Sequence, residues 1–134
     1  VHGHNYVAMV TAQAQDSNIE LDSLGRVIDF SVLKERMGGW IDTNWDHGFV
    51  YWSRDDDMVN LFGPELKQAD DPPMSAFGFL GEHKSYPLPT NPTAENMAEH
   101  LLLSVAPEVM RGTHIQVIGV RLWETENCYA DAVL

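Results

Sequence analysis

The chain has 134 residues, the size of one domain, and 44% of them are hydrophobic, which is enough for a core without disulfides. Its formal net charge of −12 disfavours nucleic acids and anionic membranes as partners, because such a surface repels phosphate. The single cysteine, Cys128, excludes an intrachain disulfide and fits a reducing cytoplasm. No apolar run has the length of a membrane span, and we expect no signal peptide.

Two histidines, His2 and His4, stand at the head of a segment, 4–14, that predicts a β-strand. In a strand, side chains at i and i+2 point to the same face, so both imidazoles can reach one ion. Catalytic zinc usually takes three protein ligands and keeps one open position. The same spacing is also typical of two exposed strand histidines, so a zinc site needs a third ligand from elsewhere.

Residues 19–28 predict a second strand that forms a hairpin with the first, interrupted by a turn at 22–25. Asp29 then predicts the N-cap of a helix that ends near Asn44. The apolar residues of this helix recur at intervals of three and four positions, as in an amphipathic helix. They are Phe30, Leu33, Met37, Trp40 and Ile41.

Residues 48–91 are the least regular part of the chain. Residues 49–52 predict a short strand or a buried turn. The acidic run at 55–57 suggests a Mg²⁺ or Ca²⁺ site, but the N-terminus of a short helix is the favoured interpretation, because acidic side chains stabilise that end.

The segment 91–93 predicts the start of a second helix, which Pro107 is expected to end. Its apolar stripe comprises Ala94, Met97, Ala98, Leu101, Leu102 and Val105. Residues 114–123 predict a strand that pairs with 128–134 across a turn. The order of elements predicts an α+β fold, an antiparallel four-stranded sheet with two helices packed on one face.

Five motifs stand in a fixed order along the chain. They lie at 2–6 (HGHNY), 27–34 (VIDFSVLK), 46–47 (DH), 92–96 (PTAEN) and 123–130 (WETENCYA). Together they resemble the 6-pyruvoyltetrahydropterin synthase / 6-carboxytetrahydropterin synthase family over nearly the whole chain except residues 50–90. The resemblance implies a single tunnelling-fold (T-fold) domain over 1–134, in which the sheets of several subunits join into a barrel. It also implies homohexamers of two trimers, zinc, and 7,8-dihydroneopterin triphosphate, a small-molecule pterin, as substrate.

The family's functional residues match particular positions of this chain. His2 and His4 match two of the three zinc ligands, and Asp46 and His47 match the pair of the catalytic relay. Glu124 matches the carboxylate that anchors the pterin ring. Thr93 matches a position that lines the pterin pocket. The third zinc ligand and the catalytic cysteine would precede Val1, where we expect a missing N-terminal strand.

These residue types suit the implied chemistry, although each has an ordinary structural interpretation. A histidine held by a carboxylate transfers protons well near neutral pH. Adjacent Asp46 and His47 would diverge in a regular strand, so they need an irregular turn or an interface to cooperate; alone, they are typical of a helix exit. The Glu124 carboxylate can accept two hydrogen bonds from a pterin, or it can be a solvated hairpin residue. We interpret Cys128 as structural.

The favoured function is that of a 6-carboxytetrahydropterin synthase of the queuosine (7-deazaguanine) pathway, a zinc-dependent lyase that releases acetaldehyde and triphosphate. The alternatives are a 6-pyruvoyltetrahydropterin synthase, which eliminates triphosphate, a folate-type side-chain cleavage enzyme, and a non-catalytic pterin-binding protein. Compared with the compact bacterial members of the family that the chain resembles, residues 50–90 form a predicted insertion, which we expect to cover the pocket or a subunit contact.

Overall fold

The structure is a computed structural model that describes residues 3–18, 20–62 and 84–134. The chain divides into two compact units. The first comprises Val1–Trp40 and Thr93–Leu134, and the second comprises Ile41–Pro92. In chain order the elements are β1 (Val7–Ala14), α1 (Phe30–Leu33, the π-helical Lys34–Gly38 and Gly39–Asn44), β2 (Phe49–Trp52), α2 (Asp56–Phe62), β3 (Ser85–Leu88), α3 (Ala94–His100, the π-helical Leu101–Val105 and Ala106–Val109), β4 (Ile115–Thr125) and β5 (Cys128–Val133). None of the helices among these residues is both long enough and apolar enough to cross a membrane.

The first unit contains an antiparallel sheet in the order β1-β4-β5. Helix α3 packs on β4 and β5, and its predicted apolar stripe is buried at every position. Leu101 of the helix and Leu122 of β4 are at most 2% exposed. Each such leucine stabilises the fold by about 1.5–3 kcal/mol relative to an exposed one. The α+β class is therefore confirmed, with α3 and the sheet forming the core of this unit.

The strand predicted at 19–28 is wrong for residues 20–28, and the four-stranded sheet is not confirmed, because the described residues of the first unit form a sheet of three strands. Residues 20–29 form no strand. The Asp22 carboxylate instead accepts hydrogen bonds from the backbone N–H groups of Leu24 and Arg26 and from the Arg26 guanidinium, at 2.8–2.9 Å. These local bonds compete with strand pairing, as aspartate side chains commonly do in turns.

Helix α1 begins as predicted, because the Asp29 carboxylate accepts a 2.9 Å hydrogen bond from the Ser31 N–H. Its predicted apolar stripe is confirmed in part. Met37 is 2% exposed, whereas Phe30, the first residue of the helix, is 83% exposed. The Arg36 guanidinium donates to the carbonyl of Val109 at 3.0 Å, so α1 supports the last turn of α3.

Pro107 does not end α3, contrary to the prediction. The Ala106 N–H donates to the carbonyl of Leu101, five residues back, which is the π-helical pattern. Pro107 comes directly after this π turn, in the first turn of a further α-helical segment, Ala106–Val109. A proline is tolerated in such a first turn, because its missing N–H lacks an intrahelical acceptor there in any case.

The second unit contains a parallel pair of strands, β2 and β3, which pair from Phe49 with Ser85 to Trp52 with Leu88. Helix α2 begins as predicted, because the Asp55 carboxylate accepts from the Met58 N–H at 3.2 Å. The rings of Phe49 and Phe62 stack with their centroids 4.1 Å apart. The predicted insertion at 50–90 falls in part on residues 63–83, which lie outside the described residues.

Candidate active site

His4 lies in the segment that leads into the sheet, not within a strand as predicted. Strand β1 begins at Val7, which pairs with Trp123, and the pairing goes no further towards the N-terminus. The register of β4 against β5 shifts between Trp123 and Thr125. This β-bulge disrupts the ladder between β4 and β5 locally, at the level where the pairing of β1 with β4 also ends.

Glu124 is the extra residue of that bulge, because Trp123 pairs with Tyr129 while Thr125 already pairs with Cys128. Bulges re-aim side chains beside functional sites. Here the Glu124 Oε1 lies 3.4 Å from the His4 Nε2. The side chains of Glu124 and His4 are 39% and 26% exposed. They form a partly shielded polar pair at the end of the central strand, β4.

Tyr6 completes this cluster, although no sequence motif marked it as functional on its own. Its ring meets the His4 imidazole edge to face, with the centroids 5.8 Å apart. Burial first, and then the negative charge of Glu124, raise the pKa of the Tyr6 phenol above its usual 10.0. The signal in the sequence was the place of Tyr6 two residues after His4 in the motif at 2–6, although both residues precede β1.

Of the two residues predicted to bind zinc, His4 lies among those that the structure describes. His2 lies outside them. Within the three described ranges, no group of three histidine, cysteine, aspartate or glutamate residues could hold a metal ion. The His4 imidazole and the Glu124 carboxylate are donors of the kind that zinc binds, but two donors do not make a site.

Asp46 and His47 form a hydrogen-bonded pair in the second unit. The His47 Nδ1 lies 2.8 Å from the Asp46 Oδ2, and the side chains are 89% and 54% exposed. Adjacent residues reach each other here because His47 adopts the left-handed conformation, with φ 56°. The irregular turn that cooperation between the two residues requires is thus present, on the exit from α1.

The turn that holds this pair is closed by backbone hydrogen bonds. The N–H groups of Trp45 and Asp46 both donate to the carbonyl of Ile41, at 2.8 and 2.9 Å. The Gly48 N–H then donates to the carbonyl of Trp45 at 2.8 Å, across His47. The Asp46–His47 pair therefore stands on a defined loop between α1 and β2.

Thr93 caps helix α3. Its Oγ1 accepts a 3.3 Å hydrogen bond from the Asn96 N–H, and the residue is exposed. Cys128 is also exposed, at the β4–β5 turn, where its N–H donates to the Thr125 Oγ1 at 3.1 Å. The structure therefore brings together His4 and Glu124 in the first unit, and Asp46 and His47 in the second.

Comparison with known proteins places the chain among pterin enzymes. Residues 1–133 match the family model of 6-pyruvoyl tetrahydropterin synthase. A protein named 6-carboxy-5,6,7,8-tetrahydropterin synthase from Rickettsia bellii is 31% identical over 131 residues, which are 98% of this chain and 81% of that protein. Proteins of the same name from Rickettsia felis and Rickettsia typhi are 32% identical over 131 residues, again 98% of this chain and 81% of each relative. The chain belongs to the 6-pyruvoyl tetrahydropterin synthase family, as the motifs predicted, and the prediction of a lyase is confirmed.

A solved structure supports the fold. The crystal structure of an uncharacterised protein from Wolinella succinogenes matches with a TM-score of 0.70 at 21% identity, covering 97% of this chain and 77% of that one. At this level of identity the match bears on the fold alone.

Proposed function

We propose that the protein is a zinc-dependent 6-carboxy-5,6,7,8-tetrahydropterin synthase that acts on 7,8-dihydroneopterin triphosphate in the cytoplasm, in queuosine (7-deazaguanine) biosynthesis. The names of the Rickettsia relatives support this choice of reaction. The structural observation that carries the proposal is the 2.8 Å contact between His47 and Asp46, because the reaction needs a group that moves protons.

His47 would act as the acid–base group. Asp46 accepts a hydrogen bond from Nδ1 and fixes the tautomer, so that Nε2 takes a proton from the substrate side chain or gives one to the ring. The carboxylate also stabilises the imidazolium that forms in between. One water is consumed and the bond between the first and second side-chain carbons breaks. The second and third carbons leave as acetaldehyde and the triphosphate leaves from the third. The first carbon stays on the pterin and is oxidised to the carboxyl group, while the dihydropterin ring is reduced to the tetrahydro form.

Glu124 would anchor the pterin ring. A carboxylate can accept hydrogen bonds from the 2-amino group and from a ring N–H at the same time, and this bidentate pairing selects the ring. The bulge in β4 gives Glu124 its direction, and its negative charge lies near enough to Tyr6 to raise the pKa of the phenol. Thr93 would line the same pocket, as the family resemblance implies.

Zinc would be held by His2 and His4 with a third ligand. When bound it would supply Lewis-acid activation of the substrate hydroxyls. A metal assay of the full-length protein checks this, with about one zinc expected per chain. His4→Ala should lose the zinc. His114→Ala is the control and should keep it, because His114 precedes β4 at the end opposite Glu124. Unchanged zinc in the His4 variant would contradict the assignment.

We further propose a T-fold homohexamer. One face of the three-stranded sheet exposes apolar side chains around the Arg121–Asp131 ion pair: Val7, Met9 and Val133 are 56–75% exposed and Tyr129 is 48% exposed. Exposed apolar surface that is grouped on one face marks an interaction surface. Light scattering coupled to gel filtration measures the assembly, and a monomer at micromolar concentration would exclude the hexamer.

The reaction itself is tested by the mass of the pterin product. Purified protein is incubated with 7,8-dihydroneopterin triphosphate, and the product is identified by mass spectrometry. The proposal expects 6-carboxytetrahydropterin. The mass of 6-pyruvoyltetrahydropterin would assign the elimination reaction instead, and pterin binding without turnover would contradict the catalytic proposal.

A further inference from the structure

The Asp46–His47 pair depends on a backbone conformation that few residues adopt. At φ 56°, His47 lies in the left-handed region, which is uncommon for residues other than glycine. The surroundings of the turn must therefore hold it there. Two residues of the same unit, Gly48 and Lys84, meet the turn directly.

A side chain at Gly48 would fit only if its neighbours shifted. A Cβ atom placed on it would lie 3.0 Å from the carbonyl oxygen of Trp45, 3.1 Å from the Lys84 Cβ and 3.4 Å from the carbonyl oxygen of Asn44. Two of these three atoms belong to the backbone at the end of α1, which cannot yield as a flexible side chain can. By contrast, a Cβ on Gly39, earlier in α1, would meet nothing within 4 Å.

Lys84 joins the turn to the elements on both sides. Its ammonium group donates to the carbonyl of Asp42 in the last turn of α1. Its own carbonyl accepts a 2.9 Å hydrogen bond from the N–H of Phe49, the first residue of β2. Its Cβ closes the space above Gly48. Lys84 thus fixes the residues before and after the Asp46–His47 pair.

We propose that Gly48 and Lys84 are positioning residues for the Asp46–His47 pair: the close approach of the two holds His47 in the left-handed turn that lets its Nδ1 reach Asp46. This assignment deepens the proposed function, because it rests on His47 as the proton-transfer group. The geometric part stands on its own and is open to a separate measurement.

A methyl group at position 48 would strain the bond between the Gly48 N–H and the Trp45 carbonyl, since neighbours at 3.0–3.4 Å must give way by a few tenths of an ångström. His47 would then leave φ 56°, and its imidazole would lose the 2.8 Å contact with Asp46. A misplacement of about 1 Å costs roughly 10²-fold in rate.

The test uses the full-length protein labelled with ¹⁵N-histidine. The ring-nitrogen shifts of His47, assigned with His47→Asn, report its tautomer in the wild type, in Asp46→Asn and in Gly48→Ala. We expect a fixed Nδ1–H tautomer in the wild type and the same loss of it in both variants. Gly39→Ala is the matched control and should leave the signals unchanged. A wild-type His47 signal in a folded Gly48→Ala protein would overturn the proposal.

Kinetics add a second readout. Gly48→Ala should lower kcat by roughly 10²-fold while KM stays within about twofold, because the pair is misplaced and the pterin contacts are not. A kcat within twofold of the wild type would overturn the proposal. If neither the wild type nor any variant converts the pterin, the proposed function is wrong. The NMR comparison then still tests the positioning role of Gly48 and Lys84.

Lys84 gives a variant that keeps the glycine, in case Gly48→Ala does not fold. Lys84→Met retains the Cβ and the stem but loses the donor to Asp42, and Lys84→Arg retains a donor. We expect Lys84→Met to lose the fixed His47 tautomer and Lys84→Arg to restore it. A wild-type His47 signal in Lys84→Met would remove Lys84 from the proposal.

Discussion

His4 Nε2 and Glu124 Oε1 lie 3.4 Å apart, at the end of the sheet where the pairing of β1 with β4 stops. The family resemblance gives these two residues separate tasks, the zinc ion and the pterin ring. Their proximity means that the two tasks would be carried out side by side. A change at Glu124 is therefore expected to act on pterin binding first and on the His4 imidazole second.

Glu124→Gln should weaken pterin binding. The amide keeps the shape of the side chain but replaces a charged acceptor with a neutral one, and hydrogen bonds to charged groups contribute about 1.5–3 kcal/mol. The dissociation constant of 7,8-dihydroneopterin, measured by calorimetry, should rise roughly 10- to 100-fold. Glu126→Gln, in the exposed turn two residues later, is the control. An equal effect of both variants would mean that Glu124 acts only through surface charge.

His47→Asn should lower kcat strongly and leave the fold intact. Asparagine is among the few residues that tolerate the left-handed conformation, so the turn at φ 56° is kept while the imidazole is lost. We expect kcat to fall by about 10²- to 10⁴-fold, with a free energy of unfolding within about 0.5 kcal/mol of the wild type.

The control for this variant is His114→Asn. His114 is the other histidine with a left-handed backbone in the described ranges, at φ 55°, and it is exposed. It should change neither kcat nor stability. Wild-type kcat in His47→Asn would show that the Asp46–His47 pair is a helix exit without a catalytic role.

Thr93→Ala should destabilise the protein, because the Oγ1 that caps α3 is lost. Loss of such a cap costs about 1 kcal/mol. Thr93→Ser keeps the hydroxyl and should unfold, in urea at pH 7, with wild-type stability. Equal stability of all three proteins would show that the 3.3 Å contact with Asn96 contributes nothing.

Stability should fall in mild acid because of His100. Burial lowers the pKa of its imidazole below the ordinary 6.5 in the folded protein. As the pH falls below 6.5, the unfolded chain takes up the proton first, so the free energy of unfolding decreases until the pH reaches the folded pKa. Above 6.5 this contribution is constant.

His100→Gln isolates that contribution. Thermal unfolding of both proteins is followed between about pH 5 and 8. The difference in melting temperature between wild type and variant should change below pH 6.5 and stay constant above it. A difference that is the same at every pH would show that His100 does not titrate in this range.

The strongest periodic signal in the sequence predicted the core. Every apolar position of the stripe from Ala94 to Val105 is buried, because a helix of this length on a sheet has one face to cover. Pro107 was a weaker guide, since the π turn at Leu101–Val105 lets the helix continue past the proline. Sequence periodicity does not register a single wider turn.

Local side-chain bonds explain what the sequence did not reveal. The hydrogen bonds of Asp22 turn residues 20–29 into a loop, although Val27 and Ile28 favour a strand. The cluster of His4 with Tyr6 and Glu124 joins residues about 120 positions apart through a bulge, which no local pattern predicts. The sequence predicted that adjacent Asp46 and His47 need an irregular turn to cooperate. It did not predict the left-handed backbone of His47 that forms this turn.

The most direct measurement of the proposed function is the yield of acetaldehyde. Wild-type protein is incubated with 7,8-dihydroneopterin triphosphate, and acetaldehyde is measured with alcohol dehydrogenase and NADH while pterin consumption is measured by chromatography. We predict equal amounts of acetaldehyde released and pterin consumed, with both rates lower by about 10²- to 10⁴-fold in His47→Asn. Pterin consumed without acetaldehyde would contradict this prediction.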